Sequence, residues 1–412
     1  MKEKTINLPE LWMTKKLGDL CDIARGGSPR PIQQYLTNSP DGINWIKISD
    51  ASASSKYIYE TKEKIKPEGV TKSRLVQKDD FLLSNSMSFG RPYIMKTSGC
   101  IHDGWLVLKD KSGLFDQDYL YYFLNSQAAY KQFDNLAAGS TVRNLNTQLV
   151  KNVIIPIPPI EEQKRIVEIL DKAFEGIAQA EANTRRNLAN TRQFLANVRN
   201  NILNKNSNNW HPTTLKKEIN LLSGFAFKSQ FYTQSEDDIS LLRGDNIMQG
   251  YLRWDNTQKW KKSEFDTFSK FKLKENDLVL AMDRPWVSAG LKYAEITSND
   301  LPCLLVQRVA RLRCCENLNN RFLFHLIGDR KFIKHILGKQ TGIGVPHISG
   351  KQIESFEFLK PPLEKQKNIA SLLDRIYSKT QKLETIYQSK LEAIAELKQS
   401  ILEKAFTGQL SQ

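Results

Sequence analysis

The side chains in this 412-residue chain with most to offer a ligand are arginines, lysines and asparagines set in loops rich in Gly, Ser and Pro. In SNSMSFGRP (84–92) they are Asn85, Ser86, Ser88 and Arg91, with Lys47 inside the run NWIKIS and with Arg143 and Asn144 after Gly139. A second set comprises Arg243 and Asn246, then Asp283, Arg284 and Trp286 from AMDRPWVS (281–288), then His347 and Lys351. Their chemistry is recognition rather than bond making. A guanidinium presents a planar fork of donors, a side-chain amide sets a donor beside an acceptor, and an ammonium is a compact positive charge. On a nucleic acid these match guanine, adenine and phosphate respectively. Each such residue also has an ordinary role open to it, as a turn cap or a phosphate anchor.

Groups that make and break bonds are missing. There is no Gly-x-Gly-x-x-Gly, no Gly-x-x-x-x-Gly-Lys-Ser/Thr and no His-Glu-x-x-His, and the five histidines are scattered. The Asn/Asp-Pro-Pro-Tyr/Phe tetrapeptide of adenine methyltransferases is absent, since the two Pro-Pro pairs follow Ile157 and Lys360. Five cysteines with no Cys-x-x-Cys pair indicate neither a zinc ribbon nor a disulfide framework. No metal site and no catalytic constellation is expected. The 60 basic residues exceed the 45 acidic ones, giving a formal net charge of +15. A polyanion is therefore the first partner to consider. No apolar run approaches the ~20 residues of a membrane span, and a reducing, cytoplasmic compartment is expected.

The elements that carry these loops occur twice. PPIEEQKRIVEILD, starting at Pro158, aligns with PPLEKQKNIASLLD, starting at Pro361, at a single offset of 203 with eight identities in fourteen positions. The same register pairs Gly139 with Gly342, Val142 with Val345 and Leu145 with Ile348. Farther upstream it drifts by a few residues, as loop insertions require. Gly26 answers Gly224 there, and DDFLLS answers NDLVLA. The chain thus reads as an internal pseudo-two-fold repeat of a globular part followed by a helical part.

Each helical part begins after Pro-Pro, which bars continuation from upstream. Apolar residues then recur at mostly three-to-four spacing: Ile166, Leu170 and Ile177 in one copy, Ile369, Leu373 and Ile376 in the other. At 1.5 Å per residue such helices span roughly 60–68 Å. Their stripes predict two long antiparallel helices packed as a coiled coil, the alternative being that each helix lies on its own globular part. Both helical stretches carry a net charge of +2, leaving +11 on the rest of the chain. The globular parts read as mixed α/β and loop-rich. NWIKIS, WLVLK, LVLAM and VARLR are strands, and DYLYYFLNSQAAYKQF and NRFLFHLIGDRKFIKHIL are one helix each. The expected organisation is a first recognition domain over 1–157, a central helix over 158–205, a second domain over 206–360 and a C-terminal helix over 361–412.

At this point the residues carry a resemblance. AAGSTVRNLNTQLVKNVIIPIPPIEEQKRI and QTGIGVPHISGKQIESFEFLKPPLEKQKNI share a Gly turn, a strand, Pro-Pro and a Glu/Lys-Gln step, and each opens a long helix. That doubled pattern, with AFTGQL (405–410), resembles the specificity subunit of Type I restriction–modification enzymes. One departure is that the first helix ends in NILNKNSNNW (201–210) with no Phe-x-Gly-x-Leu. The resemblance implies two target-recognition domains, each reading one half of a bipartite double-stranded DNA site, with the paired helices fixing the gap. It implies no catalysis and no cofactor on this chain. S-adenosylmethionine, ATP and Mg are expected on partners, which are methyltransferase subunits docked on the helices and restriction subunits. The loop residues named above become the DNA-contacting candidates, and the stripe residues the spacer. The competing reading is a coiled-coil scaffold whose β-rich domains bind something other than DNA.

Overall fold

The computed structural model describes residues 8–52, 56–85, 90–137, 145–205, 209–255, 257–287, 290–338 and 347–410. The chain forms two compact units. One is Met1–Thr184 with Ser389–Gln412, and the other is Arg185–Gln388.

In the first unit the strand Met13–Lys16 pairs antiparallel with Ile154–Ile157, so the chain closes on itself just before the central helix. Between them lie two five-stranded sheets. One is built around Phe81–Ser84, with Trp105–Asp110 and Pro92–Met95 as its antiparallel neighbours. Every residue of Phe81–Ser84 is buried, as expected for a strand covered on both faces. The other sheet places Gly99–Ile101 parallel to Ile43–Ile46. The second unit repeats the plan. His211–Thr214 closes on Glu357–Lys360, Leu278–Ala281 is the fully buried strand, and Cys303–Leu305 runs parallel to Ile239–Leu242.

Two sequence expectations need correction. NWIKIS is a strand only through Ile46, after which Ile48–Ser52 is helical. The Asp50 carboxylate draws the backbone into that turn by accepting the Lys47 amide at 2.9 Å. Each single helix of the globular parts is in fact two. Gln117–Leu124 is followed by Gln127–Ala137, and Asn320–Ile327 by Arg330–Leu337. The break has a cause in the sequence: Asp329 N-caps the second helix of its pair by accepting from the Lys331 amide, and Gly328 ends the first.

The central helix Ile160–Leu203 and the C-terminal helix Leu363–Phe406 are each 44 residues long, about 66 Å. In the first unit Ile166 and Leu170 pack in one core with Leu402, Ala405 and Phe406, and Arg165 donates to the Leu410 carbonyl at 3.0 Å. In the second unit Leu203 packs with Ile369 and Leu373, and Arg192 pairs with Glu384 at 2.8 Å. Within each unit, the start of one helix meets the end of the other, so they run antiparallel. The two expected packings are not alternatives, however. Ile166 and Leu170 also touch the core of their own globular part, including Tyr119 and Phe123, and Ile369 and Leu373 do the same with Phe322 and Phe324. Ile177 is buried, whereas Ile376 is only half-buried beside Phe194 and Leu383.

Among the described residues no helix is long and apolar enough to cross a membrane. Among the same residues no group of three or more His, Cys, Asp or Glu side chains is placed to hold a metal ion.

Candidate nucleic-acid interface

The parallel pair of strands creates the same site in both units. Ile46 lies beside Ile101 in the first, and Leu242 beside Leu305 in the second. The loops that leave the carboxyl ends of these strands diverge and leave a cleft between them. Two glycines permit the loops to sit there. A Cβ on Gly26 would stand 2.1 Å from the His102 carbonyl oxygen, and one on Gly224 would stand 2.2 Å from that of Val306. Only a residue without a side chain allows this backbone-to-backbone approach. The Gly26 and Gly224 amides then donate to Trp105 and Val309, which fixes the correspondence of His102 with Val306 and of Gly104 with Arg308.

The cleft of the second unit, 410 Å³ in volume, is polar and cationic. Arg243, Arg284, Lys292 and Arg308 line it together with Asp245, Asp283, Tyr232 and Gln307. Burial holds the Lys292 ammonium below its ordinary pKa. Asp283 is the organising acid: it pairs with the Arg308 guanidinium at 2.8 Å and accepts a hydrogen bond from His347 Nδ1. Arg243 leans toward Asp245 at 3.5 Å. The cleft of the first unit, 930 Å³, has a different character. Ile32, Trp45, Ile48 and His102 give it an apolar and aromatic wall, and Arg30, Lys47, Ser28 and Asp103 supply the polar groups. Burial lowers the His102 pKa, and the hydrogen bond from Ser28 lowers that of Asp103.

Lys47, Arg243, Asp283 and Arg284 all line these clefts, so the structure brings together residues from distant loops. Lys47 is half-buried and its ammonium is paired with Glu63. His347 joins them through Asp283, to which it is also bridged by backbone pairing. Arg91 is exposed, stacked 5.4 Å above the Tyr93 ring. Trp286 is exposed on the short hairpin strand Trp286–Val287, and Lys351 on the helix Gly350–Glu354.

Two asparagines are not where recognition needs them. Asn85 is buried and spends its amide on the Asp103 carbonyl at 2.8 Å. Asn246, also buried, accepts from the Arg243 amide and donates to the Arg253 carbonyl. Both shape the loops instead of projecting from them. Ser86, Ser88, Arg143 and Asn144 lie outside the described residues. The sequence reading missed Arg308, Lys292, Arg30, His102 and Asp103. Gln307-Arg308 was detectable as a polar pair wedged between the apolar runs CLLV and VARL, where only a loop fits.

The family model for the Type I restriction modification DNA specificity domain matches this chain twice, over residues 9–188 and 207–393. The MjaVIII specificity subunit of Methanocaldococcus jannaschii is 24% identical, over 98% of this chain and 94% of its own. The EcoAI specificity subunit of Escherichia coli is 35% identical over 48% of this chain and 33% of its own. Two solved structures share the fold. A chain from a study of assembly and conformational transition of the type I R-M system matches with a TM-score of 0.78 at 17% identity, covering 97% of this chain and 98% of that one. The HsdS subunit of Thermoanaerobacter tengcongensis matches with a TM-score of 0.56 at 18% identity, covering 99% and 100%. With the repeat, the paired clefts and both matched domains in place, the chain belongs to the Type I restriction modification DNA specificity domain family.

Proposed function

We propose that this chain is the DNA sequence-specificity subunit of a Type I restriction–modification complex. Each unit reads one half of a bipartite duplex target through its cleft and the loops around it. The two long helices, continuous through both units, fix the gap between the half-sites and dock the methyltransferase subunits. The chain itself performs no catalysis. S-adenosylmethionine, ATP and Mg belong to the methyltransferase and restriction subunits, and the complex works in the cytoplasm.

The observation that carries this reading is the duplication of the site. A cleft at the ends of two parallel strands recurs in equivalent position, held by an equivalent glycine, but lined by different side chains. A shared frame with divergent lining is what two readers of two different sequences require. The excess positive charge lies mostly off the helices, on the parts that bear the clefts, where phosphate contact would use it. Family membership turns against a scaffold that ignores DNA.

The test is methylation mapping. The chain is co-expressed with the methyltransferase subunit of its own system in a host lacking that activity, and the host DNA is sequenced with modification-sensitive reads. Methylated adenines confined to one split motif are expected. An assembled complex that modifies no DNA and protects no half-sites in a footprint would sink the proposal.

A further inference from the structure

Two non-glycine residues of the second cleft hold left-handed backbone: Arg284 at φ +43° and Arg308 at φ +66°. Positive φ is uncommon outside glycine, and where it occurs asparagine and aspartate are favoured because their short side chains bond locally. The other two such residues among those described, Asp79 and Asn276, are of that favoured kind and occupy equivalent turns before the buried strands. Arginine gains nothing of that sort from the conformation. In the first unit the place of Arg308 is taken by Gly104, the carbonyl of each accepting from the residue after the buried strand: Gly104 from the Asn85 amide and Arg308 from the Met282 amide. Gly104 is not left-handed, so the strained backbone at this position is particular to the second unit. Strain of this kind persists where the surroundings impose it, and it collects at ligand-binding positions.

The surroundings of Arg308 aim it. One guanidinium nitrogen is bound to Asp283 at 2.8 Å, and Asp283 is itself held by His347, yet 68% of the Arg308 side chain remains exposed. Asp283 occupies one donor of the five and limits rotation of the fork, leaving other N–H groups free at the mouth of the cleft. An arginine buttressed in this way can present two parallel donors to two acceptors without losing much further rotamer entropy. In duplex DNA the group with two acceptors at that spacing on one edge is guanine, through O6 and N7 in the major groove.

We propose that Arg308 reads a guanine in the half-site recognised by the second unit, with Asp283 and His347 as its positioning residues, and that Gly104, at the equivalent position of the first unit, makes no such contact. The inference rests on the DNA-specificity reading of the chain. It adds to that reading which residue selects which base, and in which half.

The experiment maps methylation by complexes carrying the natural chain, Arg308→Gly or Arg308→Lys. Glycine accepts φ +66° without strain, so Arg308→Gly removes the reader while leaving the loop at ease. The expected result is a split motif for the natural complex with a guanine at one position that Arg308→Gly relaxes to any base. Discrimination at that position should fall roughly 5- to 150-fold, and Arg308→Lys, which lacks the fork, should recover only part of it. The other half-site and the gap should stay as they were. If a variant complex modifies nothing, the assembled complex is tested for binding to duplexes that differ at that base pair alone, where the same loss of preference is expected. An unchanged motif with Arg308→Gly overturns the proposal. So does an equal loss at all sites, which would make Arg308 a phosphate anchor. Should the natural complex assemble and modify no split motif, the failure is that of the specificity reading itself.

Discussion

Gln163 and Gln366 stand at the same position of the two repeats and make the same three hydrogen bonds. Gln163 Oε1 accepts the Asp116 amide at 2.7 Å, while its Nε2 donates to the carbonyls of Leu114 and Pro158. Gln366 Oε1 accepts the Asn319 amide at 2.9 Å, while its Nε2 donates to Asn317 and Pro361. Every partner is related by the offset that aligns the two sequences. Both glutamines are fully buried. Each ties the first turn of a long helix to the cap of the helix pair in its globular part.

Gln163→Leu preserves volume and leaves an amide and two carbonyls without a partner. At about 1 kcal/mol or more for each group left unsatisfied, the first unit should lose at least about 3 kcal/mol. Thermal unfolding should show one transition moved down, with the second unit's transition in place. Gln163→Glu should be no milder, because a carboxylate keeps the acceptor but faces two carbonyls it cannot serve.

The second unit should weaken in mild acid, and His325 is the reason. Its ring is buried, Nε2 donates to Asp374 at 2.8 Å, and Arg321 grips the same carboxylate. Arg199 also faces the ring, as does the Tyr377 side chain. Burial pushes the His325 pKa down to about 4. Asp374 is held at about 2: burial opposes this, and the hydrogen bonds from His325 and Arg321 outweigh it. For both groups the unfolded chain binds a proton at a higher pH than the folded one. Stability therefore falls as pH drops from about 6.5 to about 4 through His325, and again below 3.8 through Asp374. The equivalent site of the first unit has Tyr122 bonded to Asp171 and no imidazole. Melting temperature followed from pH 7 to 4.5 should decline for the second transition more than for the first, and His325→Gln should remove most of that difference.

That same comparison explains how much of this fold was legible in the sequence. The repeat, the helices and the buried strands were readable because they rest on periodicity and on residues that recur at fixed offset, Gln163 and Gln366 among them. The short-range breaks were not, since Asp50 and Asp329 act by capping, which periodicity does not register. Within the site, Arg243, Asp283 and Arg284 stood out as loop cations and acids. Arg308 did not, because it becomes part of the cleft only when Cys303–Leu305 lies parallel to Ile239–Leu242, a pairing across more than sixty residues. Asn85 and Asn246 were misplaced for the converse reason: a loop asparagine reads alike whether it faces solvent or caps its own turn.

The proposed docking of a methyltransferase subunit on the helices makes a separate prediction. In the second unit Phe194 is 55% exposed, Ile386 58% and Leu383 41%, and a groove of 490 Å³ runs between Phe194 and Leu383. Large apolar side chains left in water on paired helices suit a partner helix laid along them. Ile386→Glu should weaken association with the methyltransferase subunit at least tenfold while leaving the melting temperature within a degree or two, since Ile386 is mostly in solvent already. Undiminished co-purification would place the docking surface elsewhere.

Charge at the second cleft should separate affinity from selectivity. Arg284 is exposed beside Asp283 and Arg308, and its cation adds to a field that draws phosphate. Arg284→Ala should weaken binding to matched and mismatched duplexes alike, and the slope of log affinity against log salt should shrink by about one. Asp283→Asn acts in the opposite sense on affinity. Removing a negative charge from the cleft should raise binding to arbitrary DNA, most visibly at low salt where screening is weak. Selectivity should nevertheless fall, because Arg308 loses the carboxylate that orients it. Titrations of both variants against target and scrambled duplexes at several salt concentrations distinguish the two effects. If Asp283→Asn gained affinity for the target and the scrambled duplex while keeping their ratio, Asp283 would be a plain electrostatic brake with no part in positioning.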